Sequence, residues 1–186
     1  MKYQRIINKL ITQGIIEAEE ADLYAYGLEI TILYTISITI SAFISILMHG
    51  TFIYLIFLAA FLPLRRSAGG FHFDSSFVCQ FFSQVLIVLP QIIIPKILQT
   101  NISPLWFSAL FVIDLLILHK KGAIVSKNRF SDEEMINKFT KKSFHILVIY
   151  FIVFILFTFF NKELVAYTLL YVVMLQGILL LIPEKK

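Results

Sequence analysis

Long apolar runs dominate this chain and decide its solvent. They are Leu28 to Met48, Phe52 to Leu64, Phe77 to Ile94, Pro104 to Leu118, His145 to Phe160 and Leu164 to Ile182. Together they hold two carboxylates, Glu29 and Asp114, and no lysine or arginine. A helix needs about 20 apolar residues to cross a bilayer. The 186 residues are 59% hydrophobic, against about 45–50% in soluble domains. The expected fold class is therefore all-α: a polytopic membrane helix bundle of about six transmembrane spans. Several runs are short, so they must stay upright, thin the bilayer or borrow flanking residues. Pro63 with Arg65 and Arg66 is expected to end the second run, and Pro90 with Pro95 the third.

Charge supports that count. Numbered alternately, one set of loops holds Lys2, Arg5 and Lys9, then Arg65 and Arg66, then the basic residues from Lys120 to Lys142, then Lys185 and Lys186. The other set holds only Lys96 and Lys162. The positive-inside bias puts the first set, and both termini, in the cytosol. The net charge of +4 is mostly this topology signal, so nucleic acid is not needed to explain it.

The chain reads as a single integral-membrane domain over 1–186. Residues 1–26 form an amphipathic interfacial segment. Tyr3, Ile6, Ile7, Leu10 and Ile11 recur at helical spacing with basic residues between them, as in a helix lying on the inner leaflet. Gly14 is expected to break that helix. No secretory signal is expected, because the first long run begins late and reads as a retained span. The bundle spans 28–182, with cytosolic loops at 65–76 and 119–144. Within the second loop, Ser131–Glu134 reads "SDEE", a capping-box pattern that predicts a short helix.

One passage breaks the apolar pattern: "RRSAGGFHFDSSFVC", Arg65 to Cys79. Cys79 is the chain's one cysteine, which excludes an internal disulfide framework and a multi-cysteine zinc site. Taken alone, a lone cysteine in an apolar helix is more often a packing residue, and loop histidines such as His72 are common. Their setting changes the balance. Both are expected at the cytosolic mouth of the third span. With Asp74, Ser75 or Ser76 as N-cap, Cys79 falls in the first turn or just beyond, where unpaired N–H groups favour a thiolate. A thiolate is the form that attacks a carbonyl. On a continuous helix, residues seven apart are separated by about 10 Å, too far for a hydrogen bond of about 3 Å. The chain must then fold back, and Gly69-Gly70 supplies the backbone freedom.

This passage resembles the signature of the accessory gene regulator B (AgrB) family, bacterial membrane endopeptidases of quorum sensing. Arg65, Gly70, His72 and Cys79 match it, and length, amphipathic N-terminus and basic inner loop are similar. The resemblance implies that Cys79 is the nucleophile and His72 its general base, then general acid. Arg65 and Gly70 would support the site. The substrate would be a small AgrD-like propeptide, cleaved on its C-terminal side through an acyl-enzyme thioester and cyclised to an autoinducing peptide. It implies a bacterial cell membrane, the active site on the cytosolic side, and no cofactor.

Other groups are candidates with plainer alternatives. Asp114 sits inside the fourth run, where acids are functional candidates. It could orient His72, pair with Lys120 or Lys121, or cap local polar groups. Lys127, Arg129, Lys138, Lys141 and Lys142 mainly obey the positive-inside bias, but could also meet the acidic tail of a propeptide. His119 and His145 complete a metal site only on paper, and no metal is expected. The short spans lean towards a homodimer. The main alternative function is a small non-enzymatic transporter or peptide exporter.

Overall fold

The computed structural model describes residues 4–70, 76–100, 102–123 and 133–182. Among these it is helical: α1 Gln4–Thr12, α2 Ala21–Leu47, α3 Thr51–Ala68, α4 Ser76–Leu98, α5 Ala109–Lys121, α6 Glu133–Phe159 and α7 Glu163–Leu181. Five of them, α2, α3, α4, α6 and α7, are long and apolar enough to cross a membrane. The protein is an all-α membrane protein. Its chain forms two compact units, residues 1–44 and 45–186.

In the first unit, α1 buries Ile7 and leaves Arg5 and Lys9 exposed. Gly14 follows it at φ 67°, a left-handed conformation that stops the helix. Along α2, hydroxyls bond back by one turn: Thr31 to the Gly27 carbonyl (2.8 Å), Thr35 to Thr31 (2.9 Å) and Thr39 to Thr35 (2.8 Å). Such back-bonds satisfy polar side chains that lipid cannot.

The second unit is organised around α7. This helix is apolar all round, and Ala166 to Val173 are buried without interruption. A helix with no polar face belongs in the middle of a bundle. Packed around it are Phe57, Leu64, Phe111, Leu118, Leu147 and Phe154, each at most 1% exposed. Phe111 meets Phe154 with ring centroids 5.2 Å apart. The outward faces of α4 and α6 instead expose Phe81, Val85, Ile149, Ile152 and Leu156, as expected where lipid is the neighbour.

Cross-links fix the directions. Tyr167, near the start of α7, donates to the Ile102 carbonyl just before α5. Lys121, at the end of α5, donates to the carbonyls of Leu180 (3.1 Å) and Leu181 (3.2 Å) at the end of α7. Thr140, early in α6, accepts from the Ala123 N–H (2.8 Å) beside the end of α5. Phe52, Leu98, Phe157 and Lys162–Val165 line one recess at the opposite end. Thus α3, α5 and α7 run one way, and α4 and α6 the other. Arg65, Arg66, Lys120, Lys121, Lys138, Lys141 and Lys142 gather at one end, with Lys96 and Lys162 at the other.

Three expectations need correction. The prolines do not end helices: Pro63 lies inside α3, and Pro90 and Pro95 inside α4. Proline at 90 removes the N–H that would reach the Leu86 carbonyl. That carbonyl accepts instead from the Tyr171 hydroxyl (3.0 Å). Near Pro63, Tyr150 donates to the Ala60 carbonyl (2.8 Å), next to the Ala59 carbonyl that this proline leaves without its helical N–H. Bonds of this kind let prolines sit inside membrane helices. Second, the expected short helix and the fifth span are one helix, α6, because no glycine or proline interrupts Glu133 to Phe159. Third, the fourth run is divided into a 3₁₀ turn, Pro104–Phe107, and the 13-residue α5. At about 1.5 Å per α residue and 2.0 Å per 3₁₀ residue, the two pieces still approach the roughly 30 Å of a bilayer core.

Candidate active site

The motif begins in the last turn of α3, which continues through Arg65 and Arg66 to Ala68. Gly69 caps it at φ 68°, its N–H bonded to the Arg65 carbonyl (2.9 Å). Arg65 then folds its side chain over this end, where a cation suits the helix dipole. Its Nη1 donates to the Gly69 carbonyl at 2.6 Å. The same carbonyl accepts from Nε2 of Gln176, on α7, at 2.9 Å. Gly70 follows at φ 128°. A side chain there would overlap Arg65 Nη1 and stand 3.3 Å from the Cβ of Leu179. Glycine is thus required twice at position 70, by conformation and by the guanidinium packed against it.

Cys79 lies in the first turn of α4, half-buried, as a free thiol. Its place near the helix N-terminus is the one its sequence setting led us to expect. His72 lies outside the described residues, as do Lys127 and Arg129.

Asp114 is 2% exposed on α5. Its Oδ1 faces the backbone of Gly177 so closely that a Cβ on that glycine would lie 2.5 Å away. Neither carboxylate oxygen has a hydrogen-bond partner among the described residues. Lys121, one of its expected partners, is committed to the α7 carbonyls instead. Lys138, Lys141 and Lys142 are exposed on α6. His119 and His145 are exposed too, and His145 Nδ1–H donates to the Lys141 carbonyl (2.6 Å). Among the described residues, no three of His, Cys, Asp and Glu converge on one point.

The sequence profile of the accessory gene regulator B family, AgrB, matches residues 3–180. The chain belongs to this family. No curated protein and no solved structure matches it. Membership places the protein in the processing of a peptide signal for quorum sensing, at a membrane. The first half of the expected motif has a physical account. Arg65 and Gly70 are one fitted pair: the glycine leaves the space that the arginine occupies.

Two further residues of this end escaped the reading of the sequence. Gln176 and Gly177 sit side by side in an otherwise apolar run, and they meet Gly69 and Asp114 respectively. The signal was there. A lone carboxamide followed by glycine inside a membrane span has no reason in packing alone, because leucine would fill the space without an amide to satisfy.

Proposed function

We propose that this protein is a membrane-embedded cysteine endopeptidase that cleaves an AgrD-like propeptide on its C-terminal side and promotes cyclisation of what remains. The observation that carries the reading is the family match over 3–180, together with the Arg65, Gly70, His72 and Cys79 signature in this chain. The half-buried position of Cys79 in the first turn of α4 is compatible with a nucleophile that a peptide can reach.

The reaction runs in two transfers. Cys79 Sγ attacks the scissile carbonyl carbon while His72 takes the thiol proton. The tetrahedral intermediate collapses, the C–N bond breaks, and His72 returns the proton to the leaving amine. The C-terminal tail departs and the rest of the propeptide stays on Cys79 as a thioester. A thiol or hydroxyl within the bound peptide then attacks the thioester carbonyl. The C–S bond breaks, Cys79 regains its proton, and a thiolactone or lactone ring closes. N–H groups of the first turn of α4 are suited to hold the oxyanion. Water must be kept from the thioester, which a site sunk at the end of a helix bundle favours. We place the basic end of the bundle, with Cys79, on the cytosolic side.

Co-expression with the propeptide tests the reading. Mass spectrometry should show the released tail with wild-type enzyme. Cys79→Ala and His72→Ala should leave the propeptide whole while still inserting in the membrane. Cleavage by Cys79→Ala would return the thiol to packing and end the proposal.

A further inference from the structure

The carboxamide of Gln176 is completely buried in the most apolar helix of the protein. Among the described residues it makes one hydrogen bond, from Nε2 to the Gly69 carbonyl at 2.9 Å. Its Oε1 is buried and accepts none from the described residues. A buried amide oxygen without a partner costs stability, and leucine would occupy the site without that cost. Stability of α7 is therefore a poor account of this residue.

Satisfaction of Gly69 is a poor account as well. Arg65 Nη1 already donates to the same carbonyl at 2.6 Å. A carbonyl has two lone pairs, and one donor leaves it free to swing about that bond. A second donor from a different helix fixes the plane of the 69–70 peptide. Gly69 and Gly70 both adopt positive φ here, so the chain turns sharply at this plane. Small rotations of it would displace whatever follows. Three residues after Gly69 in sequence comes His72.

We propose that Gln176 is a positioning residue of the endopeptidase. With Arg65 it clamps the Gly69 carbonyl between α3 and α7 and sets the path by which the chain enters the catalytic segment. This inference rests on the proposed activity. It adds a residue far from the motif in sequence that acts through the backbone and touches neither thiol nor substrate. Misplacing a catalytic group by about 1 Å costs on the order of 100-fold in rate, so the clamp has a measurable consequence.

The test uses the full chain in vesicles, with a synthetic AgrD-like propeptide, and compares wild type, Gln176→Leu, Gln176→Met and Cys79→Ala. Leucine keeps the volume and removes the donor. Methionine keeps the unbranched length of the side chain and also removes the donor. The expected result is a fall in kcat on the order of 100-fold in both Gln176 variants. KM should stay within about twofold, and the melting temperature of the leucine variant should be unchanged or higher. Arg65→Lys combined with Gln176→Leu should lose less than the sum of the two single losses, since both act on one carbonyl. Wild-type kcat in both Gln176 variants, with cleavage still dependent on Cys79, would overturn the inference alone. Losses that track the amount of folded protein in both variants would also overturn it, giving Gln176 to stability. Cleavage by Cys79→Ala would bring down the endopeptidase reading and this inference with it.

Discussion

The guanidinium of Arg65 occupies the space where a side chain on Gly70 would stand. Two positions five residues apart are thus one structural decision. Gly70→Ala should fail for two reasons that add. An L-residue at φ 128° costs about 1–3 kcal/mol, and the new methyl group displaces the arginine from the Gly69 carbonyl. Cleavage per inserted enzyme, followed by mass spectrometry, should fall at least about tenfold, as a loss of roughly 1.4 kcal/mol implies. Arg65→Ala removes the overlap but not the backbone cost. The double variant should therefore lose less than the sum of the singles; simple additivity would show that the two residues act separately.

A second fitted pair joins α5 to α7. The Asp114 carboxylate lies against Gly177, and a Cβ there would be 2.5 Å from Oδ1. Gly177→Ala should push the helices apart and cost about 1–3 kcal/mol. Asp114→Ala should relieve most of that cost. By itself Asp114→Ala should be neutral or stabilising, since it removes buried oxygens that have no partner among the described residues. Thermal melts of the four proteins of this cycle check both points. If Asp114→Ala holds its melting temperature yet loses cleavage, the carboxylate belongs to the chemistry. If cleavage is retained, its role is confined to the α5–α7 contact.

The spans were legible because lipid leaves so little choice: α7 begins and ends close to the expected run, and α2 ends there too. The start of α2 was not, for the helix begins at Ala21, seven residues before Leu28 and inside the stretch expected to be a separate interfacial segment. Nor were the helix ends at prolines. Whether Pro90 stops a helix depends on whether something else bonds the Leu86 carbonyl, and that group, Tyr171, lies 85 residues later. The continuity of α6 through Lys138, Lys141 and Lys142 was hidden by their charge, although nothing in that stretch disfavours a helix. At the candidate site, the sequence pointed to Arg65, Gly70 and Cys79 through local pattern. Gln176 belongs to the same place only through tertiary packing, which no local pattern carries.

The bond from Tyr171 to Leu86 makes its own prediction. Tyr171→Phe should leave the carbonyl beside Pro90 unpaired in an apolar setting. The expected cost is about 1–3 kcal/mol, or roughly 2–4 °C in melting temperature for each kcal/mol in a chain of this size. Pro90→Ala restores a helical N–H to that carbonyl. Tyr171→Phe should then be nearly harmless in the Pro90→Ala background. An equal loss in both backgrounds would mean that the hydroxyl serves something other than the proline gap.

Lys138, Lys141 and Lys142 present three exposed ammonium groups near the start of α6. Their spacing places them on neighbouring turns of one helix, at the same end of the bundle as Arg65. If they capture an acidic propeptide tail, their effect is long-ranged and screened by salt. Replacing all three by glutamine should raise KM on the order of tenfold at low salt, leave kcat nearly unchanged, and flatten the salt dependence. Glutamine is the better substitution than glutamate, because reversed charge next to a span can also disturb orientation. Protease protection of membrane vesicles should confirm that the triple variant inserts as the wild type does. A propeptide whose tail carboxylates are replaced by amides supplies the converse control, and it should be processed alike by both enzymes. Should the triple variant instead process the acidic propeptide with wild-type KM at every salt concentration, these lysines serve orientation alone and the tail is held elsewhere.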